Sequence, residues 1–226
     1  MAIYRDRLDA GRRLAEHLQE YAGRQDVLVL ALPRGGVPVG YEVARALSAP
    51  LDVFVVRKLG TPGQPELAMG AIATGGVRVL NPDVLRVLHI SEATIEAVTR
   101  RELQELERRE RMYRGDRSPV DVKGRIVILV DDGLATGATM RAAVQALRQQ
   151  GPQKIVVAVP TASPDVCREF ESIADQIVCA AMPVPFYAVG ASYERFDQMT
   201  DQEVREYLEK ARRPTSTDGQ EGTCAR

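Results

Sequence analysis

Apolar positions along the chain follow two alternating patterns. Between Asp6 and about Tyr21 they recur at Leu8, Gly11, Leu14, Ala15, Leu18 and Tyr21, three or four residues apart, which predicts an amphipathic helix. Four short runs then appear that are apolar at nearly every position: residues 27–32, 51–56, 126–130 and 155–159. The first ends in Pro33-Arg34-Gly35-Gly36 and leads into a Val/Ala-rich helical stretch to about Leu47. The second stops at Arg57-Lys58-Leu59-Gly60. The third and fourth precede helical stretches that begin after Gly137 and Ser163. Runs with no polar alternation are strands buried on both faces, and their alternation with helices predicts an α/β fold: an open, mostly parallel sheet with helices on both faces.

The chain between the second and third runs departs from this format. Residues 60–76 contain five Gly and two Pro, which predicts a long mobile connection with a short strand near Ala71 and a solvated Glu66. Residues 77–80 read as a strand. Ser91 is placed to cap a long charged helix ending near Arg114, with Glu105/Arg109, Glu107/Arg111 and Glu110/Arg114 spaced for ion pairs one turn apart. Its apolar residues (Ile95, Val98, Leu103, Leu106, Met112) form a narrow stripe. That stripe suits an exposed helix packed along one seam, or a contact between two copies of the chain in a homodimer. The expected organisation is one domain over residues 1–212, with an insertion at about 60–123, and a polar, disordered tail over 213–226.

Composition narrows the chemistry. The 226 residues are 45% hydrophobic, enough to bury a sizeable core. Lys+Arg number 30 and Asp+Glu 31, a formal net charge of -1, which argues against a nucleic-acid partner. The two histidines (His17, His89) and three cysteines (Cys167, Cys179, Cys224) are not at metal-ligand spacing, so neither a zinc site nor a His-dependent triad is expected. An odd number of widely spaced thiols predicts no disulfide framework and a reducing, cytoplasmic setting. No apolar leader precedes Ala10, and no apolar run is long enough for a membrane span.

The most informative stretch runs from Val127 through Asp131 and Asp132 to Thr139. A buried strand ends in two adjacent carboxylates, followed by a small-residue loop that opens a helix. Ligands of open α/β sheets bind at the carboxyl ends of strands. Ala135, Thr136, Gly137, Ala138 and Thr139 offer backbone N–H groups, two hydroxyls and a helix N-terminus, a combination that suits a phosphate. Carboxylates beside a phosphate cradle make sense if they address hydroxyls, or a Mg²⁺, on the same ligand. A sugar phosphate meets both requirements.

This segment resembles the signature of type I phosphoribosyltransferases, whose ligand is phosphoribosyl pyrophosphate (PRPP). The resemblance implies that Asp131 and Asp132 contact the ribose hydroxyls and meet Mg²⁺ only indirectly, through those hydroxyls or water. It implies that Ala135 to Thr139 hold the 5-phosphate. Arg34, Gly35 and Gly36 resemble the family's pyrophosphate loop, and Arg57-Lys58 resembles the basic pair that meets the pyrophosphate in adenine-type members. The resemblance covers roughly residues 27–60 and 124–200 and leaves the chain between them poorly matched.

In this family a small hood built from the chain ends sets the acceptor, here expected at about 181–200. The segment Pro185-Phe186-Tyr187-Ala188-Val189-Gly190 resembles the hood of purine-salvage members, which would put Tyr187 against a base and Glu194 near it; a plain core role for Phe186 or Tyr187 reads equally well. Two departures weaken a 6-oxopurine acceptor: Ala135 stands where such members carry an aspartate, and Thr161-Ala162-Ser163 provides no lysine. The resemblance therefore implies a Mg²⁺-dependent transfer of phosphoribosyl from PRPP to a nitrogenous small-molecule acceptor. The alternative is a PRPP-sensing regulatory protein without catalysis, for which the charge balance supplies no nucleic-acid surface.

Overall fold

The computed structural model describes residues 2–212. The tail expected at 213–226, with Cys224, and the side chain of Glu66 lie outside the described residues. In chain order the elements are α1 (Arg7–Glu16), a 3-10 turn (Gln19–Tyr21), β1 (Val27–Ala31), α2 (Gly36–Leu47) and β2 (Leu51–Val53). There follow β3 (Val56–Thr61), β4 (Gln64–Ala73), β5 (Val77–Leu80), α3 (Pro82–Val87) and α4 (Glu92–Arg114). The chain then resumes with β6 (Ile126–Val130), α5 (Ala138–Gln149), β7 (Lys154–Thr161), α6 (Pro164–Phe170) and β8 (Gln176–Ala181). A second 3-10 turn (Val189–Ser192) and α7 (Asp201–Arg212) complete it.

Five strands form an all-parallel sheet in the order β2-β1-β6-β7-β8. Because successive side chains point to opposite faces, β1 gives Val27, Val29 and Ala31 to one face and Leu28 and Leu30 to the other. The first face is covered by α1, α2, α4 and α7, through Leu14, Val43, Leu106 and Leu208 among others. The second is covered by α5 and α6, through Met140, Leu147 and Phe170. The expected sheet with helices on both faces is the one observed.

Three expectations need correction. The apolar run 51–56 is not one strand: β2 ends at Val53, and β3 starts at Val56 in a second, antiparallel sheet of order β3-β4-β5. Phe54 and Val55 are both buried at the crossing, so the run stays apolar while the chain changes sheets. The Gly/Pro-rich stretch 60–76 is not a long loop either. Pro62-Gly63 turns a hairpin whose arms pair from Val56↔Ala73 to Thr61↔Gln64. Lastly, Cys167 on α6 and Cys179 on β8 form a disulfide. α6 packs across β8 and brings their Cα atoms to 6.8 Å, a proximity set by tertiary packing rather than by spacing in the chain.

The long helix behaves as expected. Ser91 accepts from the Thr94 N–H, and the three pairs form at 2.9 Å (Glu105/Arg109), 4.0 Å (Glu107/Arg111) and 3.0 Å (Glu110/Arg114). Its C-terminal end is anchored in the core. Arg114 Nε donates to both oxygens of Asp52 at 2.9 Å, with both side chains about 2–3% exposed. Asp52 also accepts from the N–H of Val120, so one carboxylate in β2 fastens the far end of the insertion to its start. Among the described residues no helix is long and apolar enough to cross a membrane.

Candidate active site

The crevice follows from the topology. β1 and β6 are neighbours, but α2 leaves β1 toward one face of the sheet and α5 leaves β6 toward the other. Their connecting loops diverge at the carboxyl ends of the strands, and the gap between them is the place where such sheets accept ligands. Both loops run out of fully buried strands, held in register by the Leu32 N–H on the Val130 carbonyl.

The two helices at this crevice begin differently from their neighbours. α1, α3, α4 and α6 start behind Asp6, Asn81, Ser91 and Ser163, whose side chains accept from the first-turn N–H groups. α2 and α5 start behind Gly35 and Gly137, which offer no side-chain cap. At α5 the first N–H groups remain available to an outside acceptor, and the helix dipole favours an anion there by roughly 0.3–1 kcal/mol when exposed; at α2 the Gly36 and Val37 N–H groups already donate to the Leu32 and Arg34 carbonyls, and Pro38 has none to offer. Gly137 sits at φ +69, and a Cβ there would meet the Phe170 ring at 2.6 Å, so the turn into α5 requires glycine.

Asp131 and Asp132 lie on the floor between these helix ends. Each carboxylate has one oxygen engaged by the protein. Asp131 Oδ1 accepts from the Asp132 N–H at 2.8 Å, and Asp132 Oδ2 accepts from Arg7 Nε at 2.8 Å. The other oxygen of each takes no hydrogen bond from the described residues. Burial pushes the Asp131 carboxyl well above the usual aspartate range, and the neighbouring Asp132 charge adds to the rise. Asp132 is raised by burial too, with Arg7 opposing. Gly35 and Gly36 allow the first loop to close over this pair: a Cβ on Gly36 would stand 2.7 Å from the Val130 carbonyl oxygen and 2.9 Å from the Asp131 Cα.

The basic residues separate. Arg34 is half-buried and Lys58 exposed, and neither makes an ion pair among the described residues. Arg57 and Lys58 are adjacent in β3 and so face opposite ways. Arg57 is bound by Glu102 of α4 through Nε at 3.0 Å and Nη2 at 2.7 Å. Lys58 lines a cleft of about 350 Å³ between the antiparallel sheet and α5, together with Ala138 and Thr139. The structure therefore brings Lys58 beside the start of α5 and holds Arg57 on α4.

The segment expected to form the hood packs against the N-terminal residues. Glu194 and Arg195 N–H groups donate to the carbonyls of Tyr4 and Arg5, and Val189 packs where a Gly133 side chain would project. Tyr193 donates from its hydroxyl to the Asp132 carbonyl oxygen at 2.6 Å; burial, followed by the Asp132 charge, raises that phenol and keeps it a donor. Tyr187 is 84% exposed and Glu194 is exposed, so both stand at the rim. Sequence reasoning missed Arg7, Tyr193 and Phe196. Their only signal was a charged N-terminus and a pair of aromatics just beyond the expected hood motif.

Comparison with known proteins agrees with this geometry. Residues 2–181 match the model of the phosphoribosyl transferase domain. A Mycobacterium tuberculosis (strain H37Rv) protein named "Putative phosphoribosyl transferase" is 51% identical over 219 residues, covering 97% of this chain and 49% of its own length. The chain thus spans about half the length of the curated relatives it matches. The crystal structure of TT1426 from Thermus thermophilus superposes with a TM-score of 0.82 at 45% identity, covering 93% of this chain and 99% of that one. With the open end of α5 beside an acidic pair and a family match across most of its length, this chain belongs to the phosphoribosyl transferase family.

Proposed function

We propose that this domain transfers the 5-phosphoribosyl group of PRPP to a nitrogenous small-molecule acceptor and releases pyrophosphate. The observation that carries this reading is the open N-terminus of α5 beside two carboxylates that each keep one oxygen without a hydrogen bond from the described residues. A ligand with a phosphate group beside a vicinal diol matches that arrangement, and Arg34, with no ion pair among the described residues, offers a cation for a second phosphate. The α5 end with Thr136 and Thr139 takes the 5-phosphate, the Arg34–Gly35–Gly36 loop before α2 takes the diphosphate, and Asp131 and Asp132 accept from the ribose hydroxyls.

During transfer the C1–oxygen bond to the diphosphate breaks, and the electron pair leaves with the diphosphate. The acceptor nitrogen forms the new bond to C1 and gives up its proton. Arg34 and the loop that carries it face the growing negative charge, and donors held in place there lower a barrier most, while Lys58 lies beside the 5-phosphate end. The acidic pair holds the ring by its hydroxyls and places negative charge beneath the electron-poor carbon. Among the described residues no cluster of three His, Cys, Asp or Glu side chains could hold a metal. A Mg²⁺ brought by the diphosphate fits, since this ion is commonly held by phosphates, waters and one or two carboxylates. It would supply charge neutralisation on the leaving group.

Tyr187 and Glu194, at the rim, are the residues proposed to meet the acceptor. The test is an acceptor screen followed by pyrophosphate release with Mg²⁺ and PRPP over purines, pyrimidines, nicotinate-type acids and small amines. Release with one class supports the function. PRPP binding with no release from any class favours a PRPP-sensing regulator instead, and no PRPP binding overturns both.

A further inference from the structure

Arg7 joins three parts of the molecule that are far apart in the chain. It lies at the start of α1, and its Nε donates to Asp132 Oδ2 at 2.8 Å, 125 residues away. Its Nη1 donates to the Asp197 carbonyl at 2.7 Å, and its guanidinium carbon stands 3.9 Å from the centre of the Phe196 ring. Phe196 stacks on Tyr193 with 4.9 Å between centroids, and Tyr193 returns to the Asp132 carbonyl oxygen at 2.6 Å. The circuit Asp132–Arg7–Phe196–Tyr193–Asp132 closes on itself. Arg7 and Asp132 side chains are only 11% and 15% exposed, so the pair is largely shielded from solvent.

We propose that Arg7 is the positioning residue for recognition of the sugar: it fixes one oxygen of Asp132, presents the other to a ribose hydroxyl, and locks the hood onto that carboxylate. This rests on the function proposed above. An aspartate side chain alone rotates about two bonds, whereas a guanidinium can hold one oxygen while its remaining donors and flat face are held elsewhere. Asp132 Oδ2 is thereby removed from competition, leaving Oδ1 for the ligand. Lysine at position 7 could supply the charge but not the planar stack on Phe196 together with the second donor to Asp197.

The assignment predicts a split between ligands. Recognition of the ribose passes through Asp132, while inorganic pyrophosphate needs only the loop before α2 and its Arg34. In calorimetric titrations with Mg²⁺, Arg7→Gln should weaken PRPP about tenfold or more, the scale of one charge-assisted hydrogen bond, and leave pyrophosphate within about twofold. Arg7→Lys should recover part of the loss. If Arg7→Gln does not fold, Phe196→Leu should show the same split at smaller amplitude. Unchanged PRPP affinity, or equal losses for PRPP and pyrophosphate, overturns the assignment while leaving the function standing. A wild-type chain that binds no PRPP overturns the function and this inference with it.

Discussion

Gly35 lies directly against the carboxylate of Asp132, so that a methyl group at residue 35 would overlap it. Gly36, one residue on, lies against backbone: the Val130 carbonyl oxygen and the Asp131 Cα. The two glycines should therefore fail in different ways. Gly36→Ala meets atoms that cannot swing aside and should cost about 1–3 kcal/mol of stability in urea unfolding. Gly35→Ala can be relieved by turning the Asp132 side chain, so it should retain most of its stability and lose PRPP affinity by about tenfold or more. The reverse order of effects would place the crevice elsewhere.

Asp131 sets an opposition between stability and ligand recognition. Its carboxyl is raised above the ordinary value of 3.8, by burial first and by Asp132 second. A raised carboxyl stabilises the fold below the ordinary value, and that contribution is lost as pH rises through the raised one. Asp131→Asn should melt at a higher temperature than wild type at neutral pH, with the difference shrinking as pH falls toward 4. The same variant should bind PRPP more weakly. Paired thermal melts from pH 4 to pH 8 check the first expectation, and a difference independent of pH would contradict it.

The fastening of α4 depends on a fully buried charge pair. Arg114→Met leaves the buried Asp52 side chain without its partner, which should cost about 3–5 kcal/mol. Adding Asp52→Asn to that variant should recover much of the loss, because the stranded charge is gone. Chemical unfolding of both variants measures this. Equal stability of single and double variants would mean that Asp52 is already satisfied by the Val53 and Val120 N–H groups.

The Cys167–Cys179 bridge closes a short loop, with a sequence separation of 12. Under denaturing, non-reducing conditions two fewer cysteines should alkylate than after reduction, as read by intact mass. Cys167→Ala should destabilise the oxidised protein by about 2–4 kcal/mol. Three alkylated thiols without reductant would remove the bridge from the molecule as purified.

Much of the fold and the centre of the site were legible because their signals are local. The strand–Asp131–Asp132–loop–helix segment is contiguous, and its buried strand and small-residue turn can be read without knowing what surrounds them. The Ser91 cap and the ion pairs of α4 are likewise set by spacing along one helix. What was hidden depends on tertiary placement. Arg7 meets Asp132 across 125 residues, and nothing near either one announces the other. The β3–β4 hairpin was obscured because Gly70, where β5 approaches closely, counts as a loop residue in any local reading. The division of Arg57 from Lys58 needed only the alternation of a strand, once position 57 was known to lie in one.

The excursion that leaves the parallel sheet after Val53 and returns by Val120 begins and ends at the same side chain, Asp52. In topological terms it is a handle, closed at its base, rather than a length of chain threaded through the domain. Changes within it, such as a longer hairpin tip at Pro62-Gly63 or extra turns in α3, can be absorbed without altering the spacing of β2 and β6 in the sheet. Lys58 rides on that handle. Relatives that exchange the handle while keeping an acidic residue at its base would keep the crevice and change only what is brought beside the start of α5.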